Sequence, residues 1–579
     1  MSGRSLRGRR GGGCSPGGWA ARAVVLLALP GCMVGPDYRR PAASITAAYK
    51  ELPGWTVAAP ADTLPKGDWW RVYDDPVLDS LEREVERGNQ TLREFEAAYR
   101  VARAVVDEDR ANLFPQATLG GGANRSGSGG GSNSTSLNSA LAGGGTGTTG
   151  GTGTTGGTGI TGGSGITGGP GITGGTGTTG GGIGGTGGAT SGVGTTGAST
   201  GNTTAGTTGS GISATSLRGG SGPRTTYNAQ GSLDWELDVW GRIRRQVESG
   251  VANAQASAAD VANARLSAQA TLATDYFDLR AADAIIALLT RTVADYRRSL
   301  QITKNQYDAG VVARSDTLTA QVLLETTEAQ LINAGIARAQ YEHAIAVLTG
   351  RAPAELTLPP TSLARAIPAI PAVLPATLLQ RRPDIASAER RVAAQNALIG
   401  AAVAAYYPTI SLSALLTYSG SPLGSLFSAG NQVWSLGSSA SEVLFAGGAR
   451  TAQVAAARAT YEESVATYRQ TVLVALQQVE DELAALRILD QQLGVAQAAV
   501  TDSRRSVEIT LNEYRAGTQA YTAVVTAQAL ALSNEQTFIT LQQERLVASV
   551  VLIQALGGGW AASELPSKNS LQRNQPFLP

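Results

Sequence analysis

The chain carries little charge, almost no cysteine or histidine and no long apolar run, and each shortage removes a class of function. Charged residues make up 16% of its 579 positions, against about 25% in soluble globular domains, so its surface is not that of an ordinary cytosolic protein. The net charge of +1 supplies no field that would draw the chain to nucleic acid, and no nucleic-acid partner is expected. Its two cysteines, Cys14 and Cys32, both fall in the first 32 residues, which leaves the body without a disulfide framework or a thiolate metal site. His343, the one histidine, sits in the helical stretch Gln340-Tyr341-Glu342-His343 without a cysteine partner, so a histidine-based triad or metal centre has nothing to build on. Acidic runs such as Asp107-Glu108-Asp109 and Glu480-Asp481-Glu482 read as solvated helix surface rather than acid-base machinery. The glycine-rich stretches lack the Lys-Ser/Thr ending of a phosphate loop. No enzyme activity and no cofactor are expected. Beyond the leader no apolar run reaches the roughly 18 to 20 residues of a spanning helix, and a chain built this way crosses a bilayer only as a closed barrel.

What is present begins with an export signal. Arg4, Arg7, Arg9 and Arg10 precede the short apolar run Ala23 to Leu29, a basic leader before a hydrophobic core too short to span. Leu29-Pro30-Gly31-Cys32 resembles a bacterial lipobox, with Pro30 an imperfect fit, and makes Cys32 the expected lipid attachment site. Residues 1–31 are then a lipoprotein signal peptide.

The chain also repeats itself. Arg297 to Gly310 returns as Arg504 to Gly517 with nine of fourteen positions identical at an offset of 207, and the match runs on to Gly350 and Gly557. An earlier pair, Leu113-Phe114-Pro115 and Tyr406-Tyr407-Pro408, is offset by 293. The first copy is therefore longer, and the excess falls in a Gly-Thr-Ser tract from about Gly120 to Gly222. Such a composition buries too little apolar surface to offset its ordering entropy, and it reads as an inserted loop. The organisation expected is an N-terminal segment (32–90), a first repeat (91–365) holding that insertion (about 120–222), a second repeat (366–560) and a tail (561–579).

Each copy follows one order of helix, two strands, long helix, tight turn and helix. Tyr227, Ala229, Gly231, Leu233, Trp235 and Leu237 alternate with polar residues, and Ile410, Leu412 and Ala414 alternate with Thr409, Ser411 and Ser413, while Trp434, Leu436 and Leu444 mark a return strand. That pattern suits a strand between lipid and a watery lumen, or equally a half-buried soluble hairpin. Arg242 to Ala309 and Ala449 to Ala516 run with few breakers, roughly 100 Å of helix each at 1.5 Å per residue. A globular core has no use for that length. The returning helices, Asp316 to Thr349 and Val524 to Leu556, are about half as long, and Thr91 to Leu113 and Asp384 to Tyr406 are shorter still. Ala252, Ala256, Ala259 and Leu266 recur at the steps of a close-packed coil.

Leu378-Leu379-Gln380-Arg381-Arg382-Pro383-Asp384-Ile385, with Ala388-Glu389, Asn396-Ala397 and Ile399-Gly400, resembles the signature of the TolC-like outer-membrane efflux factors, in their lipoprotein (NodT/OprM-like) branch. Cys32-Met33-Val34-Gly35-Pro36-Asp37-Tyr38, Trp69-Trp70 with Asp75-Pro76-Val77-Leu78, and Tyr-x-Ala-Gly at both turns match it as well. The resemblance implies a mixed α and β membrane protein: a trimeric, twelve-stranded outer-membrane β-barrel, four strands per protomer, continued by a long α-helical periplasmic tunnel. It implies passive export of drugs or other toxic compounds, with a periplasmic adaptor and an inner-membrane pump of the RND type as partners, and outer-membrane lipid around the barrel. On that template the turns at Gly310 and Gly517 are periplasmic tips, and Asp316, Tyr307, Tyr514 and Gln519 join them as candidate gate residues. Thr522 and Thr526 stand where relatives carry Leu and Asp, Ala523 replaces a frequent acid, and Gln519 stands for an Arg, so an acidic selectivity ring is not expected here. A type I protein-secretion channel and a non-transport surface stalk are the alternatives. The paired strands speak against a stalk, and the lipobox-like site against the secretion channel.

Overall fold

The computed structural model describes residues 33–43, 49–51, 68–126, 223–363 and 381–572. The leader with Cys32, most of the Gly-Thr tract and residues 573–579 lie outside the described residues. Contacts divide the chain into two compact units: residues 1–122, 228–419 and 426–579 form one, and 123–227 with 420–425 the other. The small unit holds, among described residues, the outer ends of three strands.

The elements run α1 (Pro76–Gly88), α2 (Gln90–Ala111), β1 (Gln116–Ser126), β2 (Arg224–Leu237), α3 (Arg242–Asp308), α4 (Arg314–Leu348), α5 (Pro383–Ala404), β3 (Thr409–Gly420), β4 (Gln432–Ser441), α6 (Ala449–Arg515), α7 (Tyr521–Ala555) and α8 (Lys568–Gln572). The long helices α3 and α6 have 67 residues each, and α4 and α7 have 35 each. Two departures from the sequence expectation concern strands. β1 continues through Gly120, Gly121 and Gly122 to Ser126, inside the stretch assigned to the insertion, because the glycines fit where the Asn228 and Gln230 side chains of β2 lie across them. Leu444 lies beyond β4, which ends at Ser441 before the chain turns through Gly447 and Gly448 at positive φ into α6.

Four helices form each level of the large unit. Near the sheet α2 packs on α3, α3 on α5, and α5 on α6; farther along α4 packs on α3, α3 on α7, and α7 on α6. Ala252, Ala256, Ala259 and Leu266 are buried, and the small side chains let α3 lie close against its neighbours. The strands form one sheet in the order β1-β2-β3-β4, with β3 and β4 antiparallel from Thr409↔Ser441 to Tyr418↔Gln432.

The recurrent motifs hold extended segments onto the helices. Val34 N–H donates to Trp240 O at 3.1 Å. The almost fully buried Arg245 donates to Val34 O, Gly35 O and Asp37 at 3.2, 3.3 and 3.1 Å. Asn396 donates to Pro36 O at 3.0 Å, and Tyr38 to Glu389. Gly35 has φ +98°, and a Cβ there would meet Gly400 Cα at 2.3 Å, so the arm Met33–Ala43 lies against α3 and α5 only because both positions lack a side chain. Asp75 caps α1 by accepting from Val77 and Leu78 N–H at 2.9 and 3.2 Å, with Pro76 at the first helical position. It also accepts from Tyr276 at 2.6 Å, and Trp70 donates to Asp79 at 3.1 Å. Arg382 spans Asp384, Gln478 and Ala555 O, which ties α5, α6 and α7 together.

Arg245 satisfies two backbone carbonyls and the carboxylates of Asp37 and Glu248 from a buried position, so Arg245→Met should cost about 1–3 kcal/mol. The expected result is a lowered melting temperature of the detergent-solubilised protein together with faster proteolysis within residues 33–43. An unchanged melting curve would show that the arm is held without it.

Candidate functional site

The edges of both layers are bare. In the sheet β1 and β4 are outermost, and β4 is exposed along its whole length. The β3–β4 register sorts residues by face. Ile410, Leu412, Ala414, Leu416 and Tyr418 share one face with Trp434, Leu436 and Ala440, interrupted by Ser438 and Gln432. Thr409, Ser411 and Ser413 share the other with Gly437, Ser439 and Ser441, and only Leu415 and Val433 interrupt its polar character. Trp434 and Leu436 are exposed. On the polar face Ser411 and Ser439 hydroxyls lie 2.7 Å apart, and in the first hairpin Thr118 and Ser232 do the same at 2.7 Å.

The helices repeat this pattern. At the two levels α2 and α4 stand at one edge, and α6 stands at the other in both. The offset of 207 makes α4 the counterpart of α7, and α6 the counterpart of α3. Counterparts differ where a neighbour is missing. Leu288 of α3, which has α4 on one side and α7 on the other, is 4% exposed, whereas its counterpart Val495 of α6 is 73% exposed. Ile539 of α7 packs against the main core, whereas its counterpart Ile332 of α4 is 78% exposed. Val474, Ile488, Val495 and Ile509 of α6 are all exposed and fall at multiples of seven residues, the seam spacing of a coiled coil. Val495, Ala499, Asn534 and Thr537 line an open groove of about 490 Å³ there. Ion pairs, by contrast, repeat: Arg297–Glu328 matches Arg504–Glu535, and Arg338–Asp283 matches Arg545–Asp490.

At the far end two turns reverse the chain. Gly310 and Gly517 each have φ +72°, and their N–H groups donate to Tyr307 O at 2.9 Å and Tyr514 O at 3.0 Å. The next N–H groups, Val311 and Thr518, reach back to Gln306 O and Glu513 O, the Schellman arrangement that favours glycine at the left-handed position. Tyr514 is buried with its ring centroid 5.1 Å from that of Tyr521, in a cluster with Val293, Tyr296, Leu300, Ala320, Leu324 and Val524. The Tyr521 and Ser299 hydroxyls are 3.4 Å apart. The buried Thr303 hydroxyl lies beside the hydroxyls of both tyrosines. Burial, aided by the nearby Asp316 carboxylate, raises Tyr514 and Tyr521, so both stay protonated. Asp316 is thus close to Tyr514 without bonding to it. Tyr307 is exposed, and the Gln519 side chain accepts from the adjacent Ala520 N–H at 3.2 Å, just ahead of α7, without capping that helix. Tyr521, Tyr296 and the buried Thr303, whose hydroxyl serves both Tyr514 and Tyr521, were not read from the sequence. Tyr521 follows Tyr514 by seven residues across the turn, a spacing that could have revealed it.

Two acids correct the reading of every acidic run as solvated surface. Glu480 accepts from Lys50 and Glu51 N–H at 2.7 and 3.0 Å. Burial, with the Asp481 carboxylate beside it, pushes Glu482 up to about 7. Its counterpart at the same offset, Asp275, is pushed up to about 6 by burial and by Asp278.

No helix among the described residues is long and apolar enough to cross a membrane, which says nothing of strands. The family described as outer membrane efflux protein matches residues 194–351 and 374–558. The chain is 26% identical over 541 residues to the probable efflux pump outer membrane protein TtgC of Pseudomonas putida, covering 93% of this chain and 95% of that one. It superposes on the outer-membrane channel OprN with a TM-score of 0.70 at 27% identity, covering 91% of this chain and 100% of that one. The fold is shared with the CmeC outer membrane channel of Campylobacter jejuni, with a TM-score of 0.72 at 20% identity over 92% and 96% of the two chains.

A carboxyl raised in the folded state favours the protonated fold, so stability is highest below its unfolded value and falls as pH rises through the folded one. For Glu482 the loss runs from its model-peptide value of 4.5 to about 7. Glu482→Gln should therefore flatten the pH dependence of the melting temperature between these limits and raise the melting temperature at pH 8. An unchanged slope would place Glu482 in solvent.

Proposed function

The chain belongs to the outer membrane efflux protein family, and on that premise we propose that it is the outer-membrane channel of a tripartite efflux pump. It passively exports drugs or other toxic compounds that an inner-membrane transporter, of the RND type, delivers through a periplasmic adaptor. It supplies no chemistry of its own, and any energy comes from the pump.

The observation that carries this reading is the match between bare edges. Unpaired strand groups cannot face lipid, where each would cost several kcal/mol. Pairing β4 of one copy with β1 of the next removes them, and the same step brings α6 against α2 and α4 of the next copy. Such head-to-tail contacts build a ring when the rotation closes. Three copies would give twelve strands, with the Leu412/Trp434/Leu436 face toward lipid and the hydroxyl face lining a lumen. The 67-residue helices, about 100 Å long if straight, then form the wall of a periplasmic tunnel. Cys32 is the acylated N-terminus of the mature chain, one residue from Met33, whose side chain lies against Gly241 where β2 gives way to α3. The Gly-Thr insertion, joining β1 to β2, is an extracellular loop. The turns with Tyr307, Gly310, Asp316, Tyr514, Gly517 and Gln519 form the entrance that the adaptor contacts.

Deletion of the gene should sensitise cells to a panel of drugs, and the intact gene should restore resistance. The purified chain should be trimeric in detergent and conduct ions in planar bilayers, whereas Ile332→Asp, with a charge in the seam, should leave monomers that do not. A water-soluble wild-type monomer without conductance would end this reading. Radiolabelled palmitate should enter the wild-type chain and not Cys32→Ser; equal labelling of both would move the anchor elsewhere.

A further inference from the structure

The polar face of the sheet carries one charge that nothing in the chain compensates. In the first hairpin the Thr118 and Ser232 hydroxyls meet at 2.7 Å, and a Cβ on Gly120 or Gly122 would meet the side chain of Gln230 or Asn228. Position 118 is thus opposite 232, 120 opposite 230 and 122 opposite 228, an antiparallel register that puts Gln116 opposite Asp234 one step further toward the helices. Successive side chains alternate between faces, so Asp234 stands on the hydroxyl face, and Leu233 and Trp235 stand on the other. The Trp235 indole, which donates to Leu113 O at 3.0 Å, suits a membrane boundary on that other face.

The internal repeat supplies the rest of this level. At their offsets Gln116 corresponds to Thr409 and Asp234 to Ser441, and these two are directly opposed in the β3–β4 register. Each strand therefore gives one side chain at the foot of the sheet, and only that of Asp234 is charged. The acids that follow it are matched. Glu236 accepts from Arg242 at 2.8 and 2.7 Å, and Asp238 accepts from Ile243 and Arg244 N–H at 3.0 and 2.9 Å. The exposed Asp234 carboxylate has no hydrogen-bond or ion-pair partner among the described residues. On this face Asp234 and Glu236 are the only charged strand residues of the large unit. Arg224 opens the same strand ten residues earlier, about 33 Å of extended chain away.

We propose that Asp234 sets the charge preference of the channel: in the ring proposed above, on which this step rests, three Asp234 carboxylates form a collar at the foot of the barrel that favours cationic over anionic solutes. Twelve strands about 4.8 Å apart and tilted about 40° close at a backbone radius of about 12 Å. With side chains reaching inward by about 4 Å, each carboxylate lies about 8 Å from the axis, one Debye length at about 0.15 M salt. Three charges at that distance in water enrich a monovalent cation, and deplete an anion, about two- to threefold. Thr522, Ala523 and Thr526 leave the start of α7 uncharged, so the collar acts at the opposite end of the long helices from the turns.

The test is the ratio of potassium to chloride permeability, read from reversal potentials across a planar bilayer under a salt gradient, with trimer formation followed in parallel. The wild-type ratio should exceed one and decline toward one as salt is raised to about 1 M. Asp234→Asn should lower it about two- to fivefold at about 0.1 M salt, the collar being a short part of the path, and Asp234→Lys should carry it below one. As a second readout, D234C should react with water-soluble thiosulfonates in a chain whose other cysteines, Cys14 and Cys32, precede the strands. A negatively charged reagent should restore the wild-type ratio and a positively charged one invert it, while L233C should stay unreacted. Conducting trimers with one ratio in wild type, D234N and D234K would overturn the collar and leave the channel reading standing. A reactive L233C beside an inert D234C would overturn it by reversing the two faces. A chain that neither trimerises nor conducts would overturn the ring first, and the collar with it.

Discussion

An unpaired edge is the constraint on which the rest of this molecule depends. A strand leaves N–H and C=O groups pointing sideways, and water or another strand must meet them. In β4 those groups run the length of Gln432–Ser441 beside exposed Trp434 and Leu436, a combination unsuited to water on one face and to lipid on its edge. The helices reach the same condition by a different route. Their backbones are satisfied internally, yet α6 leaves Val474, Ile488, Val495 and Ile509 in the open at heptad spacing. Sheet and helices are bare on corresponding sides because the chain passes from β4 directly into α6, and from α2 directly into β1.

The internal repeat turns this from a surplus of exposed apolar residues into a specific missing neighbour. Leu288 and Val495 occupy counterpart positions, and their exposures of 4% and 73% differ because only one of them has a helix across from it. Sequence divergence follows the same division. Pairs satisfied within a copy, such as Arg297–Glu328 and Arg504–Glu535, are kept in kind, whereas Tyr521 and Gln306 have Arg314 and Glu513 as their counterparts.

Much of this was legible from residue order because helices and tight turns are local. Arg242 and Ala449 open the long helices as read, and Gly310 and Gly517 sit where a left-handed residue is required. Asp75-Pro76, recognised only as part of the family signature, turns out to open a helix. The strand passing through Gly120–Gly122 was not legible, since glycine shows no alternation and its pairing with β2 spans the whole insertion. Nor were the burial of Glu482 and the bonds of Glu480, because helical periodicity does not reveal which extended segment crosses the helix. Residues 49–51 cross α6 through Tyr49, Glu51 and the Arg487–Glu51 pair. The motifs Gly-Pro-Asp-Tyr and Arg-Arg-Pro-Asp were recognisable as a family signature before their physical reason was visible. Each places a residue whose partner lies far along the chain, as Gly35 meets Gly400 and Arg382 meets Ala555 O.

These long-range ties explain how a wall of long helices keeps a fixed register. Coiled-coil seams made of alanine and other small residues tolerate sliding by a heptad, since each step presents nearly the same surface. A charged or hydrogen-bonded residue that reaches an extended segment does not. Arg245 at the sheet end, Arg382 with Asp384 in α5, and the Arg280–Asp283–Arg338 group that holds Leu358 and Pro359 each fix one height along α3 or α6. All three lie away from the turns. At the tip, register within the chain rests on the apolar and tyrosine cluster around Tyr514. The long-range polar ties are thus concentrated away from the turns, where the helices meet instead through apolar and tyrosine side chains.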